Sequence, residues 1–161
     1  MTVMITGTGV LGAQIAAQLV AKGETPVLYD IAFNQRYISA VVDTGKVKMV
    51  AGDILDLPNL LDTIQKNKVD RIIHTAALMN IVVKARPYTG VKVNVMGMMN
   101  MLEAARLTGV KRVVFTSTQL VQSGAMDSLD EGPYREDFTM KFLSQMPTTV
   151  YGVTKVMGEY L

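Results

Sequence analysis

Val3-Met4-Ile5-Thr6-Gly7-Thr8-Gly9-Val10-Leu11-Gly12 is the stretch on which the reading of the fold turns. Its first four residues form a short apolar run without in/out alternation, as expected of a strand buried on both faces. Gly7 stops the run. Val10, Leu11, Ile15, Leu19 and Val20 then recur at helical spacing, and Gly23 closes the helix. Strand, GxGxxG turn and helix, in that order, are the context in which the glycine pattern signals a dinucleotide site. Gly7 permits the tight turn, Gly9 has no Cβ to hold a pyrophosphate away from the backbone, and Gly12 lets helix and strand pack closely. Thr8, Val10 and Leu11 complete the turn. The helix start offers free N–H groups and a positive dipole end to an anion.

The same alternation continues outward. Val27-Leu28-Tyr29-Asp30 reads as a second strand, residues 34–43 as a weak helix, Val47 to Ala51 as a third strand, and Pro58 to about Lys66 as a helix. Arg71-Ile72-Ile73-His74 is a fourth strand, residues 88–108 a long helix closed by Gly109, and Arg112-Val113-Val114-Phe115-Thr116 a fifth strand. A last helix starts near Thr149 and still runs at Leu161. Strand–helix alternation with continuous apolar strands predicts an α/β fold: a doubly wound parallel sheet, Rossmann-like, of order 3-2-1-4-5. Residues 1–161 read as one dinucleotide-binding domain.

Two acids follow strand ends. Asp30 is placed to accept hydrogen bonds from an adenosine ribose and to repel a 2′-phosphate, which favours NAD over NADP; the competing reading is an acid that merely ends a strand. Asp53, with backbone help from Ile54, reads either as a partner for the adenine amino group or as a turn acid.

Composition excludes other classes. With no Cys there is no disulfide framework, Cys-type zinc site or thiol nucleophile, and with one His there is no His-cluster metal site, so no metal is expected. Net charge is +2 with scattered basic residues, which gives no nucleic-acid patch. No apolar run is long enough for a membrane helix and the N-terminus lacks a signal-peptide pattern, so a cytoplasmic setting is expected. Hydrophobic residues make up 49% and charged residues 19%, which points to elements buried on both faces or to surface meant for a partner.

The chain resembles the extended short-chain dehydrogenase/reductase family, the NAD-dependent epimerase/dehydratase group. The resemblance is carried by Ile5-Thr6-Gly7 with the glycine turn, Asp30, Gly52-Asp53-Ile54, and Ile73-His74-Thr75-Ala76-Ala77. It continues through Asn94, Gly97, Asn100, Leu102-Glu103-Ala104-Ala105-Arg106, and Gly109 through Thr118, to Tyr151-Gly152-Val153-Thr154-Lys155. The family usually has TGxxGxxG, and Thr6–Gly12 is one residue shorter; Val121-Gln122-Ser123 stands where the family often has Val-Tyr-Gly. Family members are usually longer, so the resemblance implies a substrate domain that these residues lack, the chain stopping after the helix that carries YxxxK.

The resemblance also implies roles. Tyr151 and Lys155 share a helix face at i, i+4. In the implied mechanism Tyr151 is the base for a substrate hydroxyl, and the same carbon passes hydride to the nicotinamide. Lys155 lowers the phenol's pKa and bonds the nicotinamide ribose, and Thr118 bonds the reacting oxygen, with Ser117 as the neighbouring alternative. Thr75, Ala76, Ala77 and Thr116 line the cofactor, where small residues let backbone approach. His74 reads as a packed strand residue. Asn94 reads either as a bridge between backbone groups of its helix or as a group ordering water near the active site.

The implied substrate is a small molecule, a nucleotide sugar or a hydroxy or amino acid. The alternative is an NAD-binding module without turnover. Residues 119–147, with Asp127, Asp130, Glu131, Glu136 and Asp137, read either as a lid or as a solvated acidic loop. Helix 88–108 is apolar nearly all round, with Val91, Val95, Met98, Met99 and Leu102 on one stripe. Such a helix is either buried within the monomer or covered in a homodimer formed through it and helix 149–161, where Gly152 and Gly158 allow close approach.

Overall fold

The computed structural model describes residues 2–122 and 147–161. They fall into two compact units. The first lies within Met1–Ala77 and Met96–Thr116, and the second within Leu78–Val95 and Ser117–Leu161.

The first unit holds the sheet. Strands β1 (Thr2–Thr6), β2 (Val27–Asp30), β3 (Lys48–Ala51), β4 (Val69–His74) and β5 (Arg112–Phe115) are all parallel, in the order β3-β2-β1-β4-β5. That is the expected order. Val3, Met4, Ile5 and Thr6 of the central strand are all buried, as their unbroken apolar run requires. Helices α1 (Val10–Ala21), α2 (Gln35–Val41), α3 (Leu57–Lys66) and α6 (Gly97–Thr108) belong to the same unit. Ala16 of α1 and Ile38 of α2 share a core with Val3, Ile5 and Leu28.

Local chemistry sets the helix ends. The Asp56 side chain accepts from the Asn59 amide at 3.1 Å and Pro58 stands in the first turn of α3. Gly109 ends α6 at φ 73, and Gly23 follows α1 at φ 81. Both are left-handed positions that glycine takes without Cβ strain.

The second unit contains α4 (Asn80–Ala85), α5 (Pro87–Val91), residues 92–95 of an i→i+5 helical turn at Lys92–Met96, and α7 (Val150–Tyr160). Two expectations change here. The long helix over 88–108 is three segments, because the wide turn interrupts it. A further short helix, α4, stands where none was expected. Nor is the apolar run covered on all sides: Val95, Met98 and Met101 are buried, whereas Val91, Met96, Met99 and Leu107 are at least 41% exposed. Gly152, expected to admit a mate, is used within its own unit, where an added Cβ would lie 2.7 Å from the Leu120 carbonyl oxygen. The fifth strand ends at Phe115, one residue before Thr116. The acidic stretch Asp127–Asp137 lies outside the described residues. Among the described residues no helix is long and apolar enough to cross a membrane.

Candidate active site

In the first unit the carboxyl ends of the strands carry the glycine turn and its neighbours. Gly7 donates its amide to the Tyr29 carbonyl at 2.9 Å, Thr75 to the Thr6 carbonyl at 2.8 Å, and Gly52 to the Asp30 carbonyl at 2.9 Å. Strand order reverses between β1 and β4, and a crevice at that reversal is where open α/β sheets take ligands.

The three glycines of the turn are under different constraints. Gly7 has φ 85, and a Cβ on it would meet the Ala76 amide nitrogen at 2.5 Å. A Cβ on Gly12 would fall 1.9 Å from the Gly7 carbonyl oxygen. A Cβ on Gly9 would have nothing within 4 Å. Gly9 caps α1 without a side-chain bond, and Val10 and Leu11 beside it are 70% and 52% exposed. The turn therefore packs closely beneath Gly7 and Gly12 and is open above Gly9, which is the room a phosphate needs to reach helix N–H groups.

Thr75 and Ala76 are the small residues against the turn: the Thr75 hydroxyl donates to the carbonyls of Thr6 (2.9 Å) and Gly7 (2.8 Å). Ala77 follows, half-buried. Thr116, after β5, donates its hydroxyl to the His74 carbonyl at 3.2 Å. His74 is fully buried, with Nδ1 2.6 Å from the Thr6 hydroxyl and its ring stacked on Phe115, and so belongs to the packing of the strand ends.

Asp30 does more than end a strand. Its Oδ2 accepts from the Thr8 amide at 2.6 Å and the Thr8 hydroxyl at 2.7 Å, tying the turn to β2. Oδ1 has only a long 3.4 Å bond from the Ala32 amide and retains capacity to accept from a ribose hydroxyl. The Thr8–Asp30 pair was not foreseen from sequence, where a threonine between two glycines carries no signal of its own.

The Asp53 carboxylate accepts from the Leu55 amide at 2.9 Å, the arrangement of a turn acid. Ile54 is buried, and its carbonyl accepts from the Asn100 side chain at 3.1 Å. Tyr29, also unforeseen, supports this loop: its buried hydroxyl donates toward Asn59 Oδ1 (2.8 Å) and the Asp53 carbonyl (3.0 Å). Burial, reinforced by Asp56 and Asp53, raises that phenol's pKa and keeps it a donor.

The second unit gathers Tyr151, Lys155 and Thr118, the residues expected from sequence to handle the proton. Thr149 caps α7 by accepting from the Gly152 amide at 3.0 Å. One turn in, Tyr151 and Lys155 are both buried, with Lys155 Nζ 5.9 Å from the centre of the Tyr151 ring. Burial raises the pKa of the Tyr151 phenol, and its hydrogen bond with the Thr118 side chain draws it partly back. Ser117, the alternative to Thr118, instead donates its hydroxyl to Glu159 on α7. Sequence alone left two hydroxyls open, and of these Thr118 is the one whose side chain acts on the phenol's pKa.

Asn94 sits in the wide helical turn and bridges backbone groups, but of Leu78 rather than of its own helix. Its Oδ1 accepts from the Leu78 amide at 2.7 Å, and its Nδ2 donates to the Leu78 carbonyl at 3.0 Å and the Thr154 hydroxyl at 3.2 Å. Thr154 in turn donates to the Tyr151 carbonyl at 2.7 Å. Asn94 therefore locks both the Leu78 backbone and the first turn of α7.

Burial brings the Lys155 pKa from 10.5 down to about 8. Between about pH 8 and 10.5 the unfolded chain then binds more protons than the folded one, so stability rises with pH across that window; below pH 8 the full penalty applies. Lys155→Met is expected to raise stability more at pH 7 than at pH 10. Urea melts of both proteins at the two pH values check this; a gain independent of pH would refute buried charge as its cause.

Residues 3–161 match the family model described as the NAD dependent epimerase/dehydratase family. Sterol demethylase protein B of Methylococcus capsulatus is 34% identical over 99% of this chain and 45% of its own length. UDP-glucose 4-epimerase of Rhizobium meliloti is 31% identical over 97% of this chain and 44% of its own. Among solved structures, UDP-glucose 4-epimerase from Brucella ovis in complex with NAD superposes with TM-score 0.78 at 30% identity, over 99% of this chain and 46% of that one. The UDP-glucose 4-epimerase of Thermus thermophilus with NAD gives TM-score 0.81 at 27% identity, over 99% and 49%. The chain spans less than half the length of these relatives.

Proposed function

The chain belongs to the NAD dependent epimerase/dehydratase family, and from that membership we propose that it is the NAD-binding and proton-transferring part of an oxidoreductase or epimerase acting at a substrate hydroxyl carbon. The observation that supports the reading is the buried pair of the second unit, Tyr151 with the Lys155 ammonium beside its ring, and the half-buried Thr118 side chain acting on the phenol. A nucleotide sugar is the substrate class favoured by the UDP-glucose 4-epimerases among its relatives.

The residues present fit NAD. The space above Gly9 accepts a pyrophosphate that a side chain would exclude, and Gly7, Thr8, Val10, Leu11 and Gly12 form the turn beneath it. Asp30 would offer its carboxylate to a ribose, Asp53 and Ile54 would flank the adenine, and Thr75, Ala76, Ala77 and Thr116 would form the small-residue edge. When bound, NAD supplies the hydride acceptor and donor.

The chain's own residues handle the proton. Burial favours the neutral Tyr151 phenol, which must first give its own proton to solvent; the phenolate so formed, favoured by a nearby cation, then accepts the substrate hydroxyl proton. Lys155, with a pKa near 8, is mostly charged at pH 7 and would supply that cation; its Nζ lies 5.9 Å from the centre of the Tyr151 ring. Thr118 orients the phenol, and Asn94, through Thr154, fixes the turn of α7 from which Tyr151 projects.

Titration of the protein with both cofactors tests the nucleotide site. NAD+ is expected to bind at least roughly tenfold more tightly than NADP+, because a carboxylate near a 2′-phosphate costs on the order of 1.4 kcal/mol or more at surface dielectric. Asp30→Asn keeps an acceptor for Thr8, removes the charge and narrows the ratio. Equal or reversed affinity in the unaltered protein would overturn the role of Asp30.

A further inference from the structure

Met79 immediately follows Leu78, the residue whose amide and carbonyl are both held by Asn94. Its thioether sulfur accepts from the Tyr151 hydroxyl at 3.9 Å, within the second unit. The residue is nevertheless 64% exposed. A polarizable thioether, open to solvent and placed at the oxygen of a proposed catalytic base, is a conjunction that packing does not require. Packing calls for sulfur to be buried against apolar neighbours.

We propose that Met79 is an oxidation site through which a peroxide switches off Tyr151. This rests on Tyr151 being the base. The step is two-electron oxidation at sulfur: hydrogen peroxide transfers one oxygen atom to the thioether, its O–O bond breaks, the sulfur becomes a sulfoxide and water leaves. The product replaces a weak sulfur acceptor with a strong oxygen acceptor on the same side chain.

Three consequences follow for the phenol. The sulfoxide oxygen accepts the Tyr151 proton more strongly than sulfur does, and a bond of that kind favours the neutral form. It also stands where the incoming hydroxyl would hand over its proton. The clamp of Asn94 on Leu78 denies the backbone an easy way to carry residue 79 aside. The change is reversible by methionine sulfoxide reductases, which fits a switch better than permanent damage.

The test uses the protein expressed from its complete reading frame. It and its Met79→Leu variant are treated with hydrogen peroxide, and the treated-to-untreated activity ratio is taken within each protein. Peptide mapping reports the gain of one oxygen at residue 79. Met96, Met99 and Met157 are also exposed and remain in both proteins as internal controls.

The ratio is expected to fall roughly 100-fold in the unaltered protein, the scale of a lost general base. It should stay near one in Met79→Leu, and methionine sulfoxide reductase should restore the activity. Equal loss in both proteins, or full activity with residue 79 oxidised and the phenol titration unmoved, overturns the proposal.

A second readout separates its failure from that of the base assignment. Tyrosinate absorbance, taken as the difference from Tyr151→Phe, reports the phenol directly and is expected to titrate at higher pH after oxidation. If the phenol moves while turnover does not, the Met79 contact stands and the base role of Tyr151 falls.

Discussion

Tyr151→Phe is expected to bind NAD as the unaltered protein does and to lose turnover by a factor on the order of 10²–10⁴, the contribution of a positioned general base. The substitution removes one oxygen and leaves the ring. Tyr151 is 5% exposed, and its ring packs on the second unit whether or not it carries a hydroxyl. What is lost is the bond with Thr118 and the weak bond to Met79. Together these are worth about 1 kcal/mol, and the apolar replacement leaves no buried oxygen unsatisfied on the ring. The melting temperature should therefore move by only a few degrees. The glycine turn and Asp30, which hold the cofactor in the proposal, are untouched. A collapse of kcat with cofactor affinity and melting temperature preserved is the pattern expected of a base. Turnover above about a tenth of the original would remove Tyr151 from that role, whatever the fold.

Lys155 makes the prediction sharper. With its pKa at about 8, it loses its charge a little above neutrality, well before an ordinary lysine would. In the proposed mechanism the cation that supports the phenolate is thus itself sensitive to pH. Burial lowers the Lys155 pKa, and the buried Nζ lies 5.9 Å from the centre of the Tyr151 ring.

The sheet was legible because its strands are continuous apolar runs between glycines and acids, and five such runs with helical stretches between them admit few topologies. The glycine turn was legible because each glycine answers a separate geometric demand, and the structure shows two of those demands as near-collisions at Gly7 and Gly12. The wide turn at Lys92–Met96 was not. In a run that is apolar on every side, one extra residue per turn leaves no break in periodicity. Nor was α4, whose six residues are too few to establish a helical period. Thr8 with Asp30, Tyr29 with Asn59 and Met79 with Tyr151 were hidden for one reason: each pair meets only across the folded chain, between 22 and 72 residues apart in sequence. Spacing rules reach i, i+4 partners such as Tyr151 and Lys155 and stop there. The partner of Ser117, Glu159, lies 42 residues away in sequence and was hidden for the same reason.

Gly12→Ala and Gly9→Ala should separate the two tasks of the glycine turn, folding and binding. At Gly12 the added methyl would lie 1.9 Å from the Gly7 carbonyl oxygen and 3.1 Å from the Thr75 hydroxyl. The first obstacle is backbone, so no rotamer change relieves it and α1 must move off β1. Ala13 and Ala16 of α1 are fully buried, so that movement also opens the core. The expected cost is on the order of 3 kcal/mol, a fall in melting temperature of roughly 6–12 °C for a domain of this size. At Gly9 the added methyl meets nothing within 4 Å, and the backbone φ of −65 suits any residue. Alanine is a poorer helix cap than glycine, but it lowers the entropy of the unfolded chain, and the two terms roughly cancel to within about 1 kcal/mol. The methyl does, however, occupy the open space proposed for the pyrophosphate. Thermal melts and NAD titrations on both variants should therefore dissociate: Gly12→Ala loses stability, whereas Gly9→Ala keeps it and loses roughly tenfold or more in affinity, about 1.4 kcal/mol. NAD affinity unchanged in a stable Gly9→Ala protein would mean that the pyrophosphate does not approach this turn, and the nucleotide site would have to be placed elsewhere.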